Sequence, residues 1–309
     1  MKGKRLSIQY RLLSVLMRFS GMKLLCNANE KFLKKFLVFF RKIQKNHPPN
    51  YFYRRYNIET KECCGSRYFV ISKKDIKIDK ALMFIHGGAW IMEMNLFQWK
   101  VIKRILDSTD VNIYIPNYLL APEHKSIEAL NLLTECYYDM CKVKYKEITF
   151  LGDSAGAQIA ISFVQRLREL GQKQPSKCIV VSPPVTLIPD SNMEKKMKEI
   201  EKKDVMLSLN LLHIASSIWM GELSADDYRV SPLYGEFKEI CPIYVFVGTS
   251  EILYPQALAL KEKILTDGGS VYLYEGERMM HTWTHLPWAP ESMDGLNQII
   301  YIIKNNING

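Results

Sequence analysis

Apolar residues recur at helical spacing in two segments at the start of the chain. The first runs MKGKRLSIQYRLLSVLMRFSG, with Arg11 and Arg18 interrupting its apolar positions. The interruptions leave it too short for a membrane span, and no A-x-A-like cleavage site follows. It reads as an amphipathic helix rather than a leader. In the second, Phe32, Leu33, Phe36, Leu37, Phe39, Phe40 and Ile43 form a broad apolar face, with Lys31, Lys34, Lys35, Arg41 and Lys42 between them. His47-Pro48-Pro49-Asn50 ends it, because proline lacks an amide hydrogen and disfavours helix before it.

Beyond this arm the pattern changes to strand alternating with helix. Apolar runs at 67–72, 81–85, 111–115, 148–151, 178–181, 243–247 and 271–274 predict strands. Periodic segments at 96–107, 123–141, 155–170, 254–266 and 291–303 predict helices, with Gly171 and Gly268-Gly269 as stops. Such alternation predicts an α/β fold, a mostly parallel central sheet with helices on both faces. One interval breaks the rhythm. Between Val181 and Ile243 lie about sixty residues, far more than a usual connection. They hold a charged stretch at 194–203 and an apolar helix at 205–220, and predict an insertion above the sheet. The predicted organisation is a basic helical arm over 1–60 and a main domain over 61–309, with an insertion at about 185–225.

Charge sharpens this division. The formal net charge of the 309 residues is +10, but residues 1–50 hold twelve Lys or Arg against Glu30 alone, a net +11. The remainder is close to neutral at −1. A basic working surface for nucleic acid is therefore not expected. The arm is either a solvated basic helix face or a peripheral contact of residues 1–45 with an anionic membrane surface. The seven cysteines include no C-x-x-C pair, and Cys63 and Cys64 are adjacent. Neither a zinc site nor a disulfide framework is expected, and reduced thiols in a cytoplasmic protein fit best. Cys178 and Cys241 adjoin apolar runs and should pack as small hydrophobes.

The strongest local signal is Gly152-Asp153-Ser154-Ala155-Gly156, a G-x-S-x-G pentapeptide. Such a pattern is weak alone. Here it lies between a predicted strand and a predicted helix, which is the setting its chemistry needs. A sharp strand-to-helix turn lifts the serine hydroxyl clear of the backbone, and the helix N-terminus directs free amides toward a developing oxyanion. Ser154 is the candidate nucleophile and the Ala155 amide a candidate oxyanion donor. Asp153 is expected to make structural hydrogen bonds at the turn. A second element follows the 81–85 strand: His86-Gly87-Gly88-Ala89-Trp90. Paired glycines let backbone amides approach a substrate, so Gly87 and Gly88 are further candidate donors, and His86 is expected to brace the loop.

These motifs resemble the hormone-sensitive-lipase-like branch of the α/β hydrolases, whose signatures are H-G-G-x and G-D-S-A-G. Asn117-Tyr118-Leu119-Leu120-Ala121-Pro122-Glu123 resembles the same family's Y-R-L-A-P-E segment, with Leu119 in place of arginine. The resemblance covers roughly residues 65–305. It implies an α/β-hydrolase fold with a helical cap, formed by the N-terminal helices and the later insertion.

A serine hydroxyl needs an imidazole to take its proton, and the imidazole needs an anion to orient it. In α/β hydrolases the chain order is Ser, then Asp or Glu, then His. His281 and His285 follow the last predicted strand, and the resemblance places the catalytic histidine at His281; His285 reads as a loop or rim residue. The family pattern puts the acid in the loop after residue 247, at the position of Glu251, where aspartate is more common. Asp267 and Asp294 are rival acids and read as surface charges.

Trp90, Met92, Phe32, Phe36 and Trp219 are candidate pocket-lining residues, although an aromatic helix also serves plain core packing. The implied activity is hydrolysis of short- to medium-chain carboxylic esters through an acyl-enzyme, with no metal or organic cofactor and a small-molecule ester as partner. Matched ester and amide substrates separate this from amide or peptide hydrolysis by the same triad. Fluorophosphonate labelling separates it from a silent hydrolase fold that binds a hydrophobic ligand.

Overall fold

The computed structural model describes residues 5–305 apart from positions 75, 77 and 287. Four helices come first: α1 (Ile8–Phe19), α2 (Met22–Cys26), α3 (Glu30–Ile43) and α4 (Asn50–Arg55). The alternating body follows as β1 (Tyr56–Cys63), β2 (Ser66–Lys73), β3 (Lys80–Ile85), α5 (Leu96–Ser108), β4 (Asn112–Asn117), α6 (Ser126–Val143), β5 (Glu147–Asp153), α7 (Ala155–Glu169) and β6 (Lys177–Val181). The insertion carries α8 (Ser191–Glu201) and α9 (Leu209–Met220). The chain then closes with β7 (Ile243–Gly248), α10 (Tyr254–Thr266), β8 (Val271–Gly276) and α11 (Pro290–Lys304).

Among the described residues all eight strands form one sheet in the order β1-β2-β4-β3-β5-β6-β7-β8. β1, β2 and β4 pair antiparallel, and the pairs from β4 to β8 are parallel. The central strands β5, β6 and β7 are buried along their whole length, as a parallel sheet covered on both faces requires. Two cores lie on the two faces of the sheet: α6 and α7 fill one, and α5 and α11 the other.

Three differences from the sequence reading have local causes. β1 was not expected, because Glu59, Lys61 and Glu62 make it look like a polar loop; it is an edge strand, joined to β2 by a turn whose two residues, Cys64 and Gly65, have φ of 52° and 72°. Since β1 starts at Tyr56, the division at residue 60 falls inside a strand. The apolar helix of the insertion starts at Leu209 rather than 205. The Asp204 carboxylate accepts the Met206 and Leu207 amides in a turn, and Ser208 then caps the helix.

The arm is not a detached appendage. Tyr10 is buried in one core, and Leu33 and Leu37 in the other. Lys23 donates to the Glu201 carbonyl at 3.1 Å, and Ser208 Oγ donates to the Cys26 carbonyl at 2.8 Å, so α2 is tied to the insertion. All seven cysteines are free thiols, with Cys178 and Cys241 buried as small apolar residues.

Candidate active site

β5 ends at Asp153 and α7 begins at Ala155, so the turn between them is a single residue, Ser154. Ser154 has φ 51° and ψ −122°, a conformation that costs an L-residue about 1–3 kcal/mol. Its N–H donates to the Val181 carbonyl at 2.8 Å, which pins the turn to β6. Gly156 lets α7 pack against β3: a Cβ there would overlap the carbonyl oxygens of Ile85 and His86. The strained turn is thus imposed from both sides.

The loop after β8 brings His281 to this turn. Its Nε2 lies 2.9 Å from Ser154 Oγ, and its Nδ1 lies 2.6 Å from Glu251 Oε2. Glu251 is fully buried in the loop after β7. Its other oxygen, Oε1, accepts the Gly248 N–H at 2.7 Å and the Ser182 hydroxyl at 2.8 Å. Ser182 Oγ in turn accepts the Thr282 N–H at 3.0 Å, so one hydroxyl joins the ends of β6 and β7 to the histidine loop. Ser182 carried no motif in the sequence.

Burial works against a charged His281. The hydrogen bond and negative charge of Glu251 outweigh it and hold the imidazole above its ordinary value. Burial also pushes the Glu251 carboxyl above its ordinary value, against the pull of its hydrogen bonds to His281, Gly248 and Ser182, so the pair shares one proton site between a buried acid and a buried base. The rival acids lie elsewhere. Asp267 accepts the Phe237 amide at 2.9 Å and pairs with Lys263, and Asp294 lines a separate cavity beside β8.

The amides around Ser154 require one correction. The Gly87 N–H donates to Asp153 Oδ1 at 3.0 Å, so it is not available to a substrate oxygen. Gly87 is a close-approach position instead: a Cβ there would come within 2.9 Å of Ser154 Cβ. The next two residues, Gly88 and Ala89, have φ of 138° and 52°, and among the described residues their amides have no acceptor. Consecutive residues at positive φ of this kind form amide-lined concavities that suit anions. The Ala155 amide, at the N-terminus of α7, likewise has no acceptor there.

Asp153 makes the structural bonds expected of it, and its second partner was not foreseen. Gln98 Nε2 donates to Oδ1 at 3.1 Å and to Oδ2 at 2.9 Å. Gln98 also accepts the Asn95 N–H at 2.8 Å in a capping box that starts α5. Sequence reasoning missed Gln98, because nothing in the helix start says that its donor end reaches the turn. His86 is buried and stacked on Tyr118, with Nδ1 2.9 Å from the Gly87 carbonyl oxygen, as a loop brace. His285 is not a rim residue: it is buried, its Nδ1 is 3.8 Å from Asp153 Oδ2, and burial holds it below its ordinary value and neutral.

Two of the expected pocket residues are also corrected. Trp90 and Trp219 are 1% and 0% exposed and stack with ring centroids 6.1 Å apart. Both indole N–H groups donate to Gln158 Oε1, at 3.0 and 3.2 Å. Large rings whose polar atom finds an internal partner are core, not open wall. Phe32 faces solvent, and Met92 and Phe36 are half-buried against the core. Among the described residues no cluster of three or more His, Cys, Asp or Glu side chains could hold a metal.

Residues 82–285 match the family model of the α/β-hydrolase fold. The chain belongs to this family. An esterase of Acinetobacter venetianus is 27% identical to this α/β hydrolase over 236 residues, which is 74% of this chain and 75% of that protein. An acetyl-hydrolase of Streptomyces hygroscopicus is 27% identical over 222 residues, 69% of this chain and 71% of the other. The crystal structure of an esterase from the bacterial hormone-sensitive lipase family superposes with a TM-score of 0.81 at 18% identity, over 99% of this chain and 100% of that one.

Proposed function

We propose that the protein is a serine carboxylesterase that hydrolyses esters of short to medium acyl chains. One observation carries the reading: His281 bridges Ser154 Oγ at 2.9 Å and Glu251 Oε2 at 2.6 Å. Ser154 attacks the ester carbonyl while His281 Nε2 takes the hydroxyl proton, and Glu251 holds the imidazole in the right orientation. The amides of Gly88, Ala89 and Ala155 stabilise the oxyanion, each to the extent of ~3–4 kcal/mol. His281 then gives its proton to the leaving alcohol, the acyl group stays on Ser154, and water activated by His281 releases the acid.

The limit on acyl length rests on Gln158, one helical turn after Ser154, and on the two indoles it anchors. Both indoles are buried and held by that one side chain, which supports the reading of a small acyl group. Ser154→Ala should abolish turnover of p-nitrophenyl esters while leaving the thermal transition in place. An acyl series from acetate upward should peak among the short and medium chains. Full turnover by a folded Ser154→Ala protein would remove the proposed nucleophile. A maximum at long chains would remove the substrate class and leave the nucleophile intact.

A further inference from the structure

The core accounts for one face of α1. Tyr10 is buried there, and Leu13 and Met17 pack beside it. At about 100° per residue these three lie on one side of the helix. Ile8, Leu12, Val15, Leu16 and Phe19 follow each other at i, i+4, i+7, i+8 and i+11, which places them on the opposite side. All five are at least half exposed, and Phe19 is 82% exposed. A surface helix ordinarily turns polar residues outward, and a second apolar stripe has no use in water.

α3 repeats the arrangement. Leu33 and Leu37 are buried, while Phe32, Phe39 and Ile43 face solvent. Phe32, Phe36 and Phe40 stack along the helix with centroids 6.2 and 5.8 Å apart. Between the two helices Leu24 is 80% exposed.

Both stripes have a basic margin. On the helical wheel Arg11 and Arg18 border the stripe of α1, and Lys31, Lys35 and Lys42 border that of α3. Lys34 pairs with Glu30, and Arg41 with Glu123. The five margin residues have no acidic partner among the described residues.

We propose that the outward stripes of α1 and α3, with their basic margins, are a docking surface for an anionic lipid bilayer. An apolar stripe edged by Lys and Arg is the pattern of a helix that lies in the interfacial plane of a membrane. Among the described residues no helix is long and apolar enough to cross one. The charge argues against a second copy of the chain. A two-fold contact would set the arm's net +11 against itself, whereas anionic headgroups neutralise it.

The test is flotation of the purified full chain with vesicles of phosphatidylcholine alone or with added phosphatidylserine. The chain should float with the anionic vesicles, and high salt should weaken that binding. Arg11→Glu with Arg18→Glu should weaken it about tenfold or more. Leu12→Glu with Phe19→Glu should do the same through the stripe, and Phe39→Glu with Ile43→Glu provides a second, independent pair. All these positions are solvent-facing, so melting temperature and p-nitrophenyl acetate turnover should stay at the parent values. Substitution is preferred to deletion because Tyr10 is needed inside the fold. Three results would overturn the proposal: wild-type flotation by all three variants, equal flotation with and without phosphatidylserine, or no flotation by a chain whose dimer is broken by Leu12→Glu with Phe19→Glu. The last would give the stripe to a second copy.

Discussion

The Met280 amide donates to the Tyr10 hydroxyl oxygen at 2.6 Å, 270 positions away in the chain and next to His281. Burial pushes the Tyr10 phenol well above its ordinary value, so it stays neutral. The arm that reads as a basic lid therefore supports the loop that carries the proposed base.

Tyr10→Phe removes the acceptor and leaves the Met280 N–H buried without a partner. The expected cost is about 1–3 kcal/mol of stability, measured by urea unfolding. Because the loop position shifts and the substrate contacts do not, kcat should fall more than KM changes. A variant with parent stability and kcat would show that water or another group replaces the bond.

The second prediction concerns pH. The proposed base works as neutral imidazole, so kcat/KM should rise with pH through a value above the ordinary 6.5 of histidine. Glu251→Gln removes the charge that raises it while burial remains, so the rising limb should move to lower pH. The rate at the plateau should fall by about 10²–10⁴-fold, as when the orienting carboxylate of a triad is neutralised. The linked effect on stability has the opposite sense. A raised histidine stabilises the fold below its ordinary value, and that stabilisation is lost as pH rises through the folded-state value. A pH–rate limb that does not move in Glu251→Gln would assign the shift to another group.

Asp153→Asn tests the brace between the turn and the amide loop. Asp153 accepts from both Gly87 and Gln98, and an amide cannot accept on both of its ends. One donor then faces another, and the loop carrying Gly88 and Ala89 moves off its aim. The expected loss is about 10–100-fold in kcat with little change in KM. Steady-state kinetics beside fluorophosphonate labelling would check it, since a misplaced loop slows labelling as well. An unchanged kcat would remove Asp153 from any positioning role.

Much of the framework was legible because the information is local. The alternation of apolar runs located seven of the eight strands, and the glycines around Ser154 carry their own steric reason. The Gly87 error shows the limit. Two adjacent glycines look alike in sequence, and only the position of the Asp153 carboxylate decides which amide is already engaged. Trp90 and Trp219 show the same limit at longer range. An exposed indole and a buried one have the same letter, and Gln158, which takes both N–H groups, lies 68 and 61 residues away from them. Ser182 and Tyr10 were invisible for a related reason: Ser182 matters through bonds to two loops and Tyr10 through a bond to one, all of which the fold alone brings near.

The single carboxylate between the nucleophile turn and the amide loop bears on how new specificities could arise. Because Asp153 ties the two halves of the proposed reaction centre to each other and, through Gln98, to the start of α5, neither half can drift alone. Variation that explores other esters is then channelled outward, into the helices of the arm and the insertion, where a changed side chain alters what can enter without disturbing what reacts. A library aimed at those helices should yield altered substrate range far more often than one aimed at residues 86–89 or 152–156.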